Sequence, residues 1–326
     1  MHVGSERLAP RPPDIVPWWY MVAPSKTLAP GTVLRFDLGD LPIVLFRGRD
    51  DHVVRALPAH CLHQGVDLAN GTVVGDCIRC PLHHWEYGGR CYVVAERYGM
   101  IFIHPGEFPL LPIPDFQSVD SNTLCFEPGT AVDLDCPWYV PVANAFDMTH
   151  LRTVHRRELI TTPETTRPNA MTFITRYATS VTGRSWSDRA MRFLSRNHIE
   201  VTVTCAGGTM IIIEASAGRQ RSYMIVSLRP TRDGVSILPV YGVARGRIGL
   251  HIIHAKIARV LFTAFLRRDL KVLRGIRFPA NYVDPVDPTI TACYRHLCEL
   301  PAYRRDDEKV FPAGVSVSRG NGWLRG

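Results

Sequence analysis

No stretch of this 326-residue chain approaches the roughly 18 consecutive apolar residues that a membrane-spanning helix needs. The segment from Met1 to Pro17 is polar and proline-rich, without the apolar run of a secretory signal. Nine cysteines, odd in number and irregularly spaced, do not make a disulfide framework. A cytoplasmic protein with no membrane span is therefore expected. Gly242, Gly246 and Gly249 have neither the spacing nor the setting of a dinucleotide-binding turn. Lys and Arg outnumber Asp and Glu, 38 to 30, yet the excess is scattered and no basic stripe interleaved with aromatics occurs. Nucleic acid is not the expected partner. A basic surface also attracts an acidic protein and speeds its encounter, and that reading is preferred. Internal repeats are absent as well.

What is present is an ordinary globular composition, 46% hydrophobic and 21% charged. The expected fold class is α+β, in two domains. Residues 1–107 read as an N-terminal arm and an all-β domain. Val33 to Phe36, Ile43 to Phe46, His52 to Leu57 and Met100 to Ile103 are rich in branched and aromatic residues, and Gly and Asp turns separate them. A connector punctuated by Pro109, Pro112 and Pro114 starts the second domain, residues 108–326. There the sequence predicts a helix from Ala143 to His155. Strands follow at Thr172 to Tyr177, His198 to Thr204, Met210 to Ala215, Ser222 to Leu228 and Ser236 to Gly242. A long helix from Leu250 to Arg274, a last helix from Thr289 to Leu300 and a flexible or extended tail from Ser316 to Gly326 complete the expectation.

Two groups of metal-ligating residues stand out, and they differ in chemistry. Cys61-Leu62-His63 and Cys80-Pro81-Leu82-His83 each put one thiolate and one imidazole in a loop between strands. Gly65 and Pro81 shape these loops tightly enough to aim backbone N–H groups at sulfur. Thiolates suit ferric iron, and neutral imidazoles on a second iron reduce the negative charge of an iron–sulfur cluster. The alternative is structural zinc, although zinc fingers group cysteines with cysteines and histidines with histidines. Cys77, three residues before Cys80, is expected to be a spare thiol, because the reach from Cys80 to His83 fits Cys80 as the ligand.

The second group is Asp147, His150 and His155. On a regular helix Asp147 would lie between the imidazoles, about 60° from one and about 80° from the other. The imidazoles would then be about 140° apart, too far to share an ion unless a turn between them widens, as in a π-bulge, or breaks. Two imidazoles and a carboxylate suit ferrous iron with open positions. Asp269 is the candidate carboxylate. It sits within a stripe of Phe262, Phe265, Leu266, Leu273 and Ile276 at helical spacing, where an acid needs a cation. Asp284 and Asp287 are rivals in a proline-fixed loop.

Cys61-Leu62-His63-Gln64-Gly65 and Cys80-Pro81-Leu82-His83-His84-Trp85 resemble the two cluster loops of Rieske proteins. Val66 and Leu82 stand where the Rieske proteins of respiratory cytochrome complexes carry disulfide cysteines. Asn144-x-x-Asp147-x-x-His150-x4-His155, with Arg268-Asp269-Leu270-x-x-Leu273, resembles the catalytic domain of Rieske non-heme iron oxygenases. The resemblance implies a Rieske [2Fe-2S] cluster on Cys61, His63, Cys80 and His83, and mononuclear Fe(II) on His150, His155 and Asp269. It implies O2 as co-substrate and a homotrimer in which Asp147 bridges to a cluster histidine of the neighbouring subunit, with Asn144 lining the iron pocket. Electrons would come from a ferredoxin or flavin reductase, so NAD(P)H would act only through that partner. The chain looks most like members acting on bulky apolar molecules, such as ketosteroid hydroxylases and sterol desaturases or demethylases. A Rieske electron carrier and a non-catalytic lipid-binding protein are the alternatives. One departure is visible: Cys91 runs directly into the next strand, where the family usually has an apolar loop.

Overall fold

Alternating apolar residues and closely spaced turns produce short antiparallel strands in the first hundred residues, as the pattern requires. The computed structural model describes residues 11–89, 91–218, 220–245, 250–277, 286–304, 315–319 and 322–325. The first strands are β1 (Tyr20–Pro24), β2 (Val33–Leu38), β3 (Leu41–Arg47), β4 (Val54–Pro58) and β5 (Thr72–Val74). They are followed by β6 (Cys77–Arg79), β7 (Glu86–Gly89), β8 (Val93–Arg97) and β9 (Met100–His104). Two of the sheets they form have the orders β2-β3-β4 and β1-β9-β8. Their core is built on Phe36, Leu38, Ile43, Leu45, Ala56 and Ile103.

The second domain is organised by one large antiparallel sheet. Its strands are β10 (Leu124–Pro128), β11 (Val132–Leu134), β12 (Arg157–Leu159), β13 (Glu164–Asn169) and β14 (Thr172–Val181). Longer strands follow: β15 (Ile199–Ala206), β16 (Met210–Ala217), β17 (Gln220–Thr231) and β18 (Gly234–Ala244). The order is β10-β18-β17-β16-β15-β14-β12, with β11 also on β18 and β13 also on β14. Every strand from β14 to β18 is longer than the sequence suggested, and on β17 the polar end Gln220-Arg221 continues the ladder. The helices are α1 (Tyr139–Asn144), α2 (Met148–Thr153), α3 (Trp186–Ser195), α4 (Leu250–Leu273) and α5 (Pro288–Cys298).

Two segments near the candidate sites refine the sequence reading. The helix expected from Ala143 to His155 is divided into α1 and α2, and Asp147 between them is extended at φ −86° and ψ 101°. The tail is not free: β19 (Val315–Arg319) and β20 (Gly322–Arg325) form a hairpin that pairs with β7, giving the sheet β20-β19-β7-β6-β5. The two cores meet along β1. Tyr20 packs into the first core, while Trp19 and Met21 on the opposite face pack into the second. The turn between β15 and β16 approaches Trp18 so closely that a Cβ at Gly207 would lie 2.0 Å from the indole, which only glycine allows.

Candidate metal centres and cavity

The loops after β4 and β6 put four side chains in one place, with their sulfurs inside and their imidazoles outside. Cys61 and Cys80 are 3% and 1% exposed, whereas His63 and His83 are exposed. The loops copy one another in backbone terms. Cys61 N–H donates to Val66 O and Cys80 N–H to Trp85 O, both at 2.8 Å. The left-handed position this needs is filled by Gly65 in one loop and by His84 in the other, at φ 70° and 58°.

Both thiols lie on the buried side, and His63 Nδ1 lies 3.0 Å from His83 Nδ1. The donors are therefore sorted into a sulfur pair and a nitrogen pair. A sulfur pair inside and a nitrogen pair outside suit a dinuclear cluster with one pair on each iron. Burial pushes the Cys61 thiol up, but the Tyr87 hydroxyl, the His63 and Gln64 amides and Cys80 outweigh this and hold it below the ordinary thiol value. Tyr87, fully buried, lies 3.0 Å from Cys61 Sγ and also accepts the Leu62 N–H. Trp85 stacks on the His63 ring at 4.8 Å. The sequence reading passed over Tyr87; its place on the strand leaving the second loop was the available signal. Cys77 lies apart, its thiol raised by burial and influenced by Glu86, Arg55 and Asp76.

The second site forms where α2 meets α4. His150 Nε2 and His155 Nε2 lie 2.7 and 2.6 Å from Asp269 Oδ1, and 3.1 Å from each other. Three adjacent octahedral positions with bonds of about 2.1 Å have edges of about 3 Å, so these atoms can share one ion without rearranging. The angular conflict disappears because the helix ends. α2 stops at Thr153, so His155 lies beyond the helix and is free of its angular spacing, and its ring meets that of His150. A broken turn, not a π-bulge, does this. Burial pushes the Asp269 carboxyl up, but hydrogen bonds from His150 and His155 outweigh it and hold it below the usual carboxylate range.

Neighbouring acids hold the segment in place. Asp147 caps α2 by accepting the His150 N–H at 2.7 Å. Asp287 is 3% exposed and accepts the Met148 and Thr149 N–H groups at 2.5 and 3.1 Å, while also capping α5 through Thr289. This rival of Asp269 is thus given to backbone amides. Asn144 Nδ2 is 3.5 Å from His150 Nε2. Of the apolar stripe, Leu266 and Leu273 line the cavity, joined by Leu270, while Asp284 and the side chains of Phe262 and Phe265 lie outside the described residues.

The three ligands open into a cavity of about 250 Å³. Alternate residues of the large sheet line it, among them Val201 and Val203 on β15, Ile211 and Ile213 on β16, and Met224 on β17. Arg157 and Thr179 are among its few polar groups.

A family model described as the Rieske [2Fe-2S] domain matches residues 18–98. Those residues are a Rieske domain. Aminopyrrolnitrin oxygenase PrnD of Pseudomonas fluorescens is 29% identical over 171 residues, covering 42% of this chain and 45% of that protein. Cholesterol 7-desaturase nvd of Bombyx mori is 28% identical over 172 residues, covering 46% and 37%. The chain thus spans less than half the length of these curated relatives. Beyond the Rieske domain the likeness continues in the fold. Dicamba monooxygenase bound to dicamba matches with a TM-score of 0.61 and 19% identity, over 87% of this chain and 97% of that one. NdmB of Pseudomonas putida CBB5 matches with a TM-score of 0.65 and 14% identity, over 87% and 90%. The architecture is that of Rieske oxygenase structures, a Rieske domain followed by a domain of antiparallel sheet and helices.

Proposed function

We propose that this chain is a Rieske-type oxygenase. It takes electrons from a separate ferredoxin or flavin reductase and uses O2 to oxidise a C–H bond of a bulky apolar substrate. For a hydroxylation the balance is O2, two electrons and two protons, with one oxygen atom entering the substrate and one leaving as water. The observation that carries the reading is the convergence of His150, His155 and Asp269 at the end of an apolar cavity, in a chain that also holds a Rieske domain. When bound, the cluster supplies single electrons and the ferrous iron supplies O2 activation.

The protein's own residues divide the remaining work. Cys61, Cys80, His63 and His83 hold the cluster, with the imidazoles at the surface where a neighbour can approach. Leu62 and Leu82, 40% and 49% exposed, give that surface an apolar rim suited to docking. His150, His155 and Asp269 hold the iron, and Asn144 flanks His150 in the pocket. The walls from β15 to β17 orient an apolar body and exclude water. In a head-to-tail homotrimer Asp147 accepts a hydrogen bond from a cluster histidine of the neighbouring subunit. The excess of basic residues suits an acidic electron donor. Among the described residues no helix is long and apolar enough to cross a membrane, and nine free thiols suit the cytoplasm.

The relatives include a cholesterol 7-desaturase and, at 33% identity over 78 residues, the oxygenase component of a 3-ketosteroid-9-alpha-monooxygenase of Mycolicibacterium smegmatis. They favour a sterol or steroid. A simple electron carrier with an unrelated second domain is disfavoured by the shared fold across 87% of the chain. The test is O2-dependent product formation from a steroid panel with a surrogate reductase, alongside iron analysis. About three irons per chain and a hydroxylated or desaturated product are expected. About two irons and no product would leave only an electron carrier. Asp147→Asn should keep both metals and lose turnover, and full activity in that variant would remove the bridge.

A further inference from the structure

Most polar groups in the cavity wall are already committed to protein partners. Thr179 Oγ1 donates to Glu158 O at 2.9 Å. Arg157 is different. It stands in the wall two residues after His155, with 12% of its side chain exposed. Its hydrogen bonds all run through one nitrogen: Nη1 donates to His155 O at 3.1 Å, Arg156 O at 3.3 Å and Asp188 Oδ1 at 3.1 Å. Nε and Nη2 have no hydrogen-bond partner among the described residues. A guanidinium presents its donors in a fixed planar fork, and spare donors beside an apolar space gain most from an incoming acceptor.

The charge on Arg157 is already matched. Asp188 is 5% exposed and fixed in the capping box of α3 by Ser185. A substrate carboxylate would crowd two anions around one cation, whereas a carbonyl oxygen adds an acceptor and no charge. The bond from Nη1 to the His155 carbonyl also fixes this guanidinium on the ligand side of the cavity.

We propose that Nε and Nη2 of Arg157 form a polar subsite that takes a neutral carbonyl oxygen (ketone, ester or amide) on an otherwise apolar substrate. The subsite positions the substrate next to His155, and it rests on the reading of the cavity as the substrate site.

The test is calorimetric titration of the iron-loaded protein with 2-acetylnaphthalene, 2-isopropenylnaphthalene and 2-naphthoate. The ketone should bind about tenfold more tightly than the hydrocarbon of the same shape, and the carboxylate no more tightly than the ketone. Arg157→Lys keeps a cation for Asp188 but loses the planar fork. It should bring the ketone to within about twofold of the hydrocarbon while leaving the hydrocarbon's affinity unchanged. The double variant Arg157→Met, Asp188→Asn removes both charges and should give the same loss. Equal binding of ketone and hydrocarbon by the wild type overturns the subsite without any variant. So does a ketone preference that survives in both variants, or a carboxylate that binds most tightly. Failure of all three probes to bind overturns the cavity reading together with the subsite.

Discussion

The two candidate metal sites are assembled in opposite ways. The four cluster donors come from two loops that copy the same turn, close together in sequence, and each loop is shaped by its own backbone hydrogen bonds. The second site joins His150 to a carboxylate 119 residues away. It depends on the ends of α2, on the placement of α4 and on a cap supplied by Asp287. Local construction makes a site that follows its loops. Distributed construction makes a site that follows the whole domain.

Removing one ligand of the distributed site should give the largest contrast. His150→Ala is expected to lower iron from about three to about two per chain and to abolish turnover, while the visible spectrum of the cluster persists. Metal analysis with absorption spectroscopy checks this, and a bleached spectrum would show that the sites are not independent.

Acid should separate them next. His296 is fully buried on α5 against Phe173, and neither ring nitrogen has a hydrogen-bond partner among the described residues. Burial, aided by Arg167, lowers its pKa from 6.5 to about 4. The folded state therefore favours the neutral ring. Stability is fully present above pH 6.5 and is lost as pH falls from there toward 4, by up to about 3 kcal/mol. Single-iron loss should precede cluster loss on acid titration, and His296→Leu should flatten the stability profile between those pH values.

A smaller effect is expected from Asp287→Ala, which removes the cap of α5 together with the bonds to the Met148 and Thr149 amides in the first turn of α2. About 2 kcal/mol of stability should go, read by thermal denaturation, with weakened iron binding and an unchanged cluster spectrum. The smallest effect belongs to the local site. Tyr87→Phe deletes the hydroxyl beside Cys61 Sγ, a bond worth about 1 kcal/mol, so the cluster potential should fall by roughly 40 mV. Voltammetry would reveal it, and an unmoved potential would mean that the phenol does not tune the sulfur.

The same contrast governs what could be read in advance. That Cys61, His63, Cys80 and His83 sit in two loops between strands was legible because their spacing encodes the loops directly. Asp269 was legible because a carboxylate within an apolar helical stripe is costly unless paired, and the pairing is seen with His150 and His155. The division into α1 and α2 was not, since no Gly or Pro separates Asn144 from Met148, and the local cap Asp147 is joined by Asp287 from far along the chain. Helix α3 went unread although Ser185 and Asp188 form a capping box at its start. The apolar runs hid the full lengths of strands such as β17, whose polar end Gln220-Arg221 is held by pairing with β16.

Residues 315–325 leave the ribosome long after β7, yet β19 lies beside that strand, with Val317 opposite the same Tyr87 that touches Cys61. An earlier-made strand thus waits for one made more than 200 residues later to complete its sheet. A chain interrupted before residue 315 would leave β7 as a bare edge, and metal insertion there would report whether translation had run that far.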